Sequence, residues 1–141
     1  MIHPYMYVGV PAREKVAIMN SQNGAVFIKR HIIPAAISVF NDHYSSTYTQ
    51  KDLKSGWRKR ELVECRHACM YILRKKAHYD LKKIGREFGG RDHSTVIHAC
   101  ATFQNLLDTD KRYVKLLDRV IREIQILSIK SAEEVENIKN N

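Results

Sequence analysis

The sequence predicts an all-α fold, a compact helical domain organised on a helix-turn-helix and preceded by an N-terminal extension of uncertain structure. Three observations lead there. Residues 80 to 100, DLKKIGREFGGRDHSTVIHAC, read as a short helix, a glycine turn and a second helix. In four stretches apolar residues recur at helical spacing, so that each stretch has one buried face. The net charge of +9 is also concentrated. Residues 50–91 carry 13 basic and 5 acidic side chains (+8), against 4 and 2 (+2) in residues 1–49 and 7 and 8 (−1) in residues 92–141.

At 141 residues and 44% hydrophobic, the chain suits one domain, burying roughly two-thirds of its unfolded surface. The basic middle third points to a polyanion, nucleic acid or an anionic membrane surface. No stretch approaches the roughly 20 apolar residues that span a bilayer, so no membrane span is expected. Cys65, Cys69 and Cys100 make an odd number, and the opening MIHPYMYVGVPAREK lacks a basic segment followed by an apolar run. A soluble, cytoplasmic protein with reduced thiols is the expectation.

Taken in order, Pro11 to Met19 suit the start of a helix, Asn23-Gly24 a turn, and Ala25 to Ile28 either a short strand or part of a helix. Pro34 suits the first turn of a helix over 34–44, in which Ile33, Ile37, Phe40 and Tyr44 share a face. Ser45 to Thr49 form a loop, and Thr49 or Gln50 opens a short turn ended by Ser55-Gly56. A basic loop, Lys54-Ser55-Gly56-Trp57-Arg58-Lys59-Arg60, leads into a helix over 61–74 with Leu62, Cys65, Cys69, Ile72 and Leu73 on its core face. Its basic end, Arg74-Lys75-Lys76, either complements the helix dipole or faces phosphates. Trp57 is either a lid on the core or a contact to a sugar-phosphate backbone.

Asp80 is placed to cap a helix over 81–88, Gly89-Gly90 to turn the chain, and Asp92 to cap the next helix. There Val96, Cys100, Phe103 and Leu107 form the buried stripe. His93, Ser94 and Thr95 precede it and are free to project outward, as the first turn of a recognition helix must. Asp92, His93, Ser94 and Thr95 can exchange hydrogen bonds with base edges in a major groove, although Asp92 as a plain cap and two ordinary first-turn residues fit the same pattern. Tyr113, Leu116, Leu117, Val120, Ile121 and Ile124 mark a closing helix, and residues 129–141 read as a polar tail that frays.

Other chemistry finds little footing. Cys65 and Cys69 lie on an apolar face with His67 pointing elsewhere, which suits buried thiols rather than a metal site. Asp108, Asp110 and Asp118 do not form a two-metal nuclease set, so no enzyme, metal or cofactor is expected.

The sequence also resembles a known family. Arg58 to Glu64, then Arg66 and Met70 to Leu73, then Ile84 to Cys100 with the signature Gly89-Gly90-Arg91-Asp92-His93-Ser94-Thr95 are similar to the C-terminal DNA-binding domain (domain IV) of the bacterial DnaA replication initiators. The resemblance covers residues 34 to about 127. It implies a Trp-repressor-like helix-turn-helix binding double-stranded DNA at short asymmetric boxes. Asp92, His93 and Ser94 match the base readers, Thr95 a neighbouring contact, and Arg58 an arginine entering the minor groove. Arg66 and His67 match positions approaching DNA, and Arg74 a phosphate contact. His67 stands where the family often has Gln, Lys82 where it often has Pro, and Ser94 where Thr is more usual.

The expected layout is therefore an extension over 1–33, the DNA-binding domain over 34–128 and a tail over 129–141. Arg60, Arg66, His67, Arg74, Lys82 and Arg91 are expected on the DNA backbone. Six such contacts imply a log-log salt slope of about −5. With no Gly-x-x-x-x-Gly-Lys-Ser/Thr loop in the sequence, nucleotide binding is not expected, and the chain should act at DnaA-box-like sites without its own ATPase. The extension is expected to serve self-association, a partner such as a replication initiator, or packing. The alternative function is a protein-interaction module acting through residues 1–44.

Overall fold

The computed structural model describes residues 22–140, and the side chains of residues 30–131 together with most of those beyond. The helix expected from Pro11 lies outside the described residues. Among them there is no strand, and six helices follow one another: α1 Gln22–Tyr44, α2 Gln50–Lys54, α3 Arg60–Lys75, α4 Leu81–Glu87, α5 His93–Thr109 and α6 Lys111–Asn140. No helix among the described residues is long and apolar enough to cross a membrane.

The apolar stripes form as their periodicity predicts. Leu62, Cys65, Cys69, Ile72 and Leu73 of α3, Val96, Cys100, Phe103 and Leu107 of α5, and Tyr113, Leu116, Leu117, Val120, Ile121 and Ile124 of α6 all join one core, in which Phe88 and Phe103 are the largest fully buried side chains. Helix α3 packs chiefly on α5 and α1, while α1 packs chiefly on α6. The three helices meet at a buried carboxylate, Glu64. It accepts hydrogen bonds from Tyr44 Oη of α1, from Tyr113 Oη of α6 at 2.8 Å, and from Arg60 Nε at 3.0 Å. Those donors replace the water that burial removes.

Two elements differ from their sequence expectations, and the differences are linked. Helix α1, described from Gln22, takes in Asn23-Gly24, which were expected to turn, and settles Ala25 to Ile28 as helix. Pro34 stands inside it rather than in its first turn. An interior proline costs about 3 kcal/mol. Burial of Ile32 and Ile33 offsets that by roughly 3–6 kcal/mol. The longer α1 in turn gives α6 a partner, and α6 runs on to Asn140 through the stretch expected to fray. Ser131 Oγ of α6 lies 3.2 Å from Nε2 of the buried His31 of α1.

Local signals hold closely elsewhere. Thr49 and Asp52 make a reciprocal capping box on α2, with Asp52 N donating to Thr49 Oγ1 at 3.3 Å and Thr49 N to Asp52 Oδ2 at 2.9 Å. Asp80 Oδ1 accepts from Lys82 N at 2.9 Å at the start of α4.

Candidate nucleic-acid interface

The site is built on the α4–α5 turn. Helix α4 is capped at its end by Phe88, which is fully buried and anchors the turn to the core. The Gly85 carbonyl then accepts N–H groups from Phe88, Gly90 and Arg91 at 3.2, 3.1 and 2.9 Å, folding the chain back on itself. Gly89 adopts φ +83°, and a Cβ there would sit 2.5 Å from the Lys54 carbonyl oxygen. Only glycine meets both demands. Gly85 is pressed just as closely, since its Cβ would lie 2.0 Å from the carbonyl oxygen of Arg91. The turn is thus docked against the end of α2, where the basic loop begins.

From this turn α5 projects its first residues outward. Val96 is the first buried side chain, and Asp92, His93, Ser94 and Thr95 before it are all exposed. Asp92 holds the N-cap position with extended backbone, yet its carboxylate makes no capping hydrogen bond of the expected kind. Its partners are side chains: Ser94 Oγ donates to Oδ2 at 2.9 Å, and His93 Nδ1 lies 2.8 Å from Oδ1. The Ser94 hydrogen bond first, then His93, holds the Asp92 carboxyl below the usual carboxylate range. Three side chains on one turn therefore form a linked polar group. Their spare donors and acceptors face solvent beside a helix N-terminus, whose dipole favours anions.

The expected cations divide into two groups. Arg58, Arg60, Arg74 and Lys82 are exposed. Arg60 keeps an ion pair with Glu64 that raises its pKa further, so it stays charged. Arg74 Nη1 donates to the Tyr79 carbonyl at 3.0 Å, which fixes the side chain at the end of α3.

Arg66, His67 and Arg91 are instead buried or partly buried. Arg66 is only 4% exposed. Its Nε donates to the Leu53 carbonyl at 2.7 Å, and its Nη2 to the Ser55 and Trp57 carbonyls at 3.1 Å each. Nε and Nη2 are thus turned inward rather than to a phosphate, because carbonyls at the end of α2 and in the basic loop claim them. Arg91 is partly buried and donates from Nη2 to Ser55 O at 2.7 Å and from Nη1 to Phe88 O. His67 is half-buried, and burial first, then Arg66 and His98, pushes its pKa down to about 4. It is neutral near pH 7 and brings no positive charge to a phosphate.

Sequence reasoning missed two participants. The Ser55 carbonyl is invisible to residue-type arguments, and Gly85 carries no turn signal in the middle of a helix. Trp57, expected as a lid on the core or a sugar-phosphate contact, is no lid. It is 53% exposed and stands edge-on to Tyr48, with ring centroids 6.4 Å apart.

Comparison with known proteins places this geometry. Residues 39–102 match the family described as the bacterial dnaA protein helix-turn-helix. The match runs from late α1 into the middle of α5. Among similar proteins, the chromosomal replication initiator protein DnaA of Flavobacterium psychrophilum is 38% identical over 84 residues, 57% of this chain and 18% of that protein. The protein of that name from Thermodesulfovibrio yellowstonii is 36% identical over 74 residues, 52% of this chain and 17% of its own length. That of a Wolbachia species from Brugia malayi is 42% identical over 69 residues, 49% and 15% respectively. This chain therefore spans less than a fifth of these relatives.

Proposed function

With residues 39–102 identified as a helix-turn-helix of the bacterial DnaA type, we propose that this protein binds double-stranded DNA sequence-specifically at DnaA-box-like sites. Its role is then in the control of replication initiation or of transcription. The relatives are named as replication initiators, and the matched segment is their helix-turn-helix rather than an ATPase, so the proposed role is binding and not catalysis.

One observation carries the reading. Asp92, His93, Ser94 and Thr95 are exposed together on the first turn of α5, at the end of the helix that enters a major groove in this class of motif. Asp92 accepts from a cytosine amino group, or fixes His93 and Ser94 so that they meet the base edge in one orientation. Arg58, exposed on the loop docked against the same turn, reaches the adjacent minor groove. Arg60, Arg74 and Lys82 neutralise phosphates, which sets register and supplies sequence-independent affinity.

Selection of bound duplexes from a random pool, followed by sequencing, tests this proposal. A short consensus that competes effectively against scrambled DNA is expected. Recovery of duplexes with no common sequence would overturn the claim of specific readout.

A further inference from the structure

Arg66 and Arg91 each direct guanidinium donors to backbone carbonyls of the protein, and the carbonyls they reach suggest a different task from phosphate contact. We propose that these two arginines are positioning residues. They tie the loop carrying Arg58 to the turn carrying Asp92 to Thr95, so that the two reading elements meet DNA at a fixed separation. This inference rests on the DNA-reading function proposed above.

The tie can be followed atom by atom. Arg66 projects from α3 behind the loop and holds it at three carbonyls, those of Leu53, Ser55 and Trp57. The Ser55 carbonyl accepts a second guanidinium, that of Arg91, at 2.7 Å. Arg91 immediately precedes Asp92, and its other terminal nitrogen reaches back to Phe88 O. One residue before Ser55, the Lys54 carbonyl is packed against Gly89 so closely that a Cβ would not fit. Ser55 is itself fixed, its Oγ donating to Asp52 O at 2.5 Å and accepting from Trp57 N at 3.2 Å. Arg58 stands three residues beyond Ser55, and the readers one to four residues beyond Arg91.

Physical reasons favour a tie over a contact. The loop between α2 and α3 has no helical hydrogen bonds of its own at Ser55 and Trp57, so side chains must satisfy those carbonyls. Charge-assisted bonds from a planar fork are stronger and more directional than neutral ones. A lysine supplies neither the fork nor its geometry. Adjacent grooves of duplex DNA lie a fixed distance apart, so two readers on separate segments work together only if their supports hold them to within about 0.5 Å.

The experiment uses the full chain, a selected box and all its single-base-pair variants. Arg58→Ala identifies the loop-read positions, and His93→Ala the helix-read positions. Arg91→Ala, on a partly exposed residue, and Arg91→Lys are then measured, with helical content and melting temperature as folding controls. Discrimination at loop-read positions is expected to fall from about tenfold to under about twofold, with helix-read discrimination kept and the salt slope unchanged. Adding Arg58→Ala to Arg91→Ala should cost nothing more at those positions. Uniform weakening on every duplex, with a salt slope shallower by about one unit, is the signature of a phosphate contact and overturns the proposal.

A second arm needs no DNA. Amide hydrogen exchange at residues 55–59 should quicken about tenfold in Arg91→Ala, as expected when a local tie is cut. Unchanged exchange also overturns the proposal. A wild-type chain without any base preference removes the recognition role, and the exchange result then judges the tie by itself.

Discussion

Arg66 and Arg91 converge on one acceptor, the Ser55 carbonyl, at 3.1 and 2.7 Å. Their charges lie at the joint between the basic loop and the helix-turn-helix rather than on its outer face. Of the six side chains expected on the DNA backbone, Arg60, Arg74 and Lys82 are the exposed ones. Electrostatic affinity should therefore be weaker than a count of arginines along the sequence implies.

The salt dependence checks this. Three phosphate contacts predict a log-log slope of about −3, shallower than the slope of about −5 that six contacts would give. Arg74→Ala should weaken binding to box and random duplex alike and flatten the slope by about one further unit. Titrations at several salt concentrations measure both quantities. A slope near −5 for the wild type would return Arg66, His67 and Arg91 to the DNA backbone.

Gly89→Ala should destabilise the domain by roughly 1–3 kcal/mol, because φ is +83° and the new Cβ meets the Lys54 carbonyl. Gly90 is the control. Its φ of +78° imposes similar backbone strain, but nothing lies within 4 Å of a Cβ built there. Urea denaturation should rank Gly89→Ala below Gly90→Ala, and equal stabilities would mean that the turn is not docked on the loop.

The Glu64 cluster gives a third expectation. Tyr113→Phe removes a hydrogen bond to a buried carboxylate, a loss of about 1.5–3 kcal/mol. Thermal and denaturant unfolding report it. A variant as stable as the wild type would show that Glu64 needs no donor from α6.

His67 makes stability depend on pH. Its folded-state pKa, about 4, lies below the ordinary 6.5, so between these values the unfolded chain binds the extra proton. Stability should fall as pH drops from about 6.5 towards 4. His67→Gln should flatten that part of the curve. If wild type and variant lose stability in parallel over this window, His67 is not the group responsible.

Much of this was legible from residue types, because local rules govern local structure. Thr49 and Asp80 cap as their side chains allow, the Val96-Cys100-Phe103-Leu107 stripe buries as its spacing requires, and Gly89 turns the chain. The sequence did not reveal facts that depend on distant partners. Pro34 marked a helix start until the burial of Ile32 and Ile33 outweighed it, and the end of α6 looked frayed without the longer α1 beside it. Asp92 was expected to cap, and instead its neighbours Ser94 and His93 take the carboxylate. Arg66 and Arg91 have the same residue type as an arginine on a phosphate. Their direction is set by loop carbonyls up to 36 residues away in the chain.

The central claim is that the first turn of α5 reads bases, and His93→Ala tests it most directly. Dissociation constants of wild type and variant are measured on the selected box and on random duplex at one salt concentration. Loss of a base contact should cost about 1–3 kcal/mol on the box while leaving random DNA almost unaffected. Equal weakening on both duplexes would contradict the assignment and make His93 a contributor to general affinity alone.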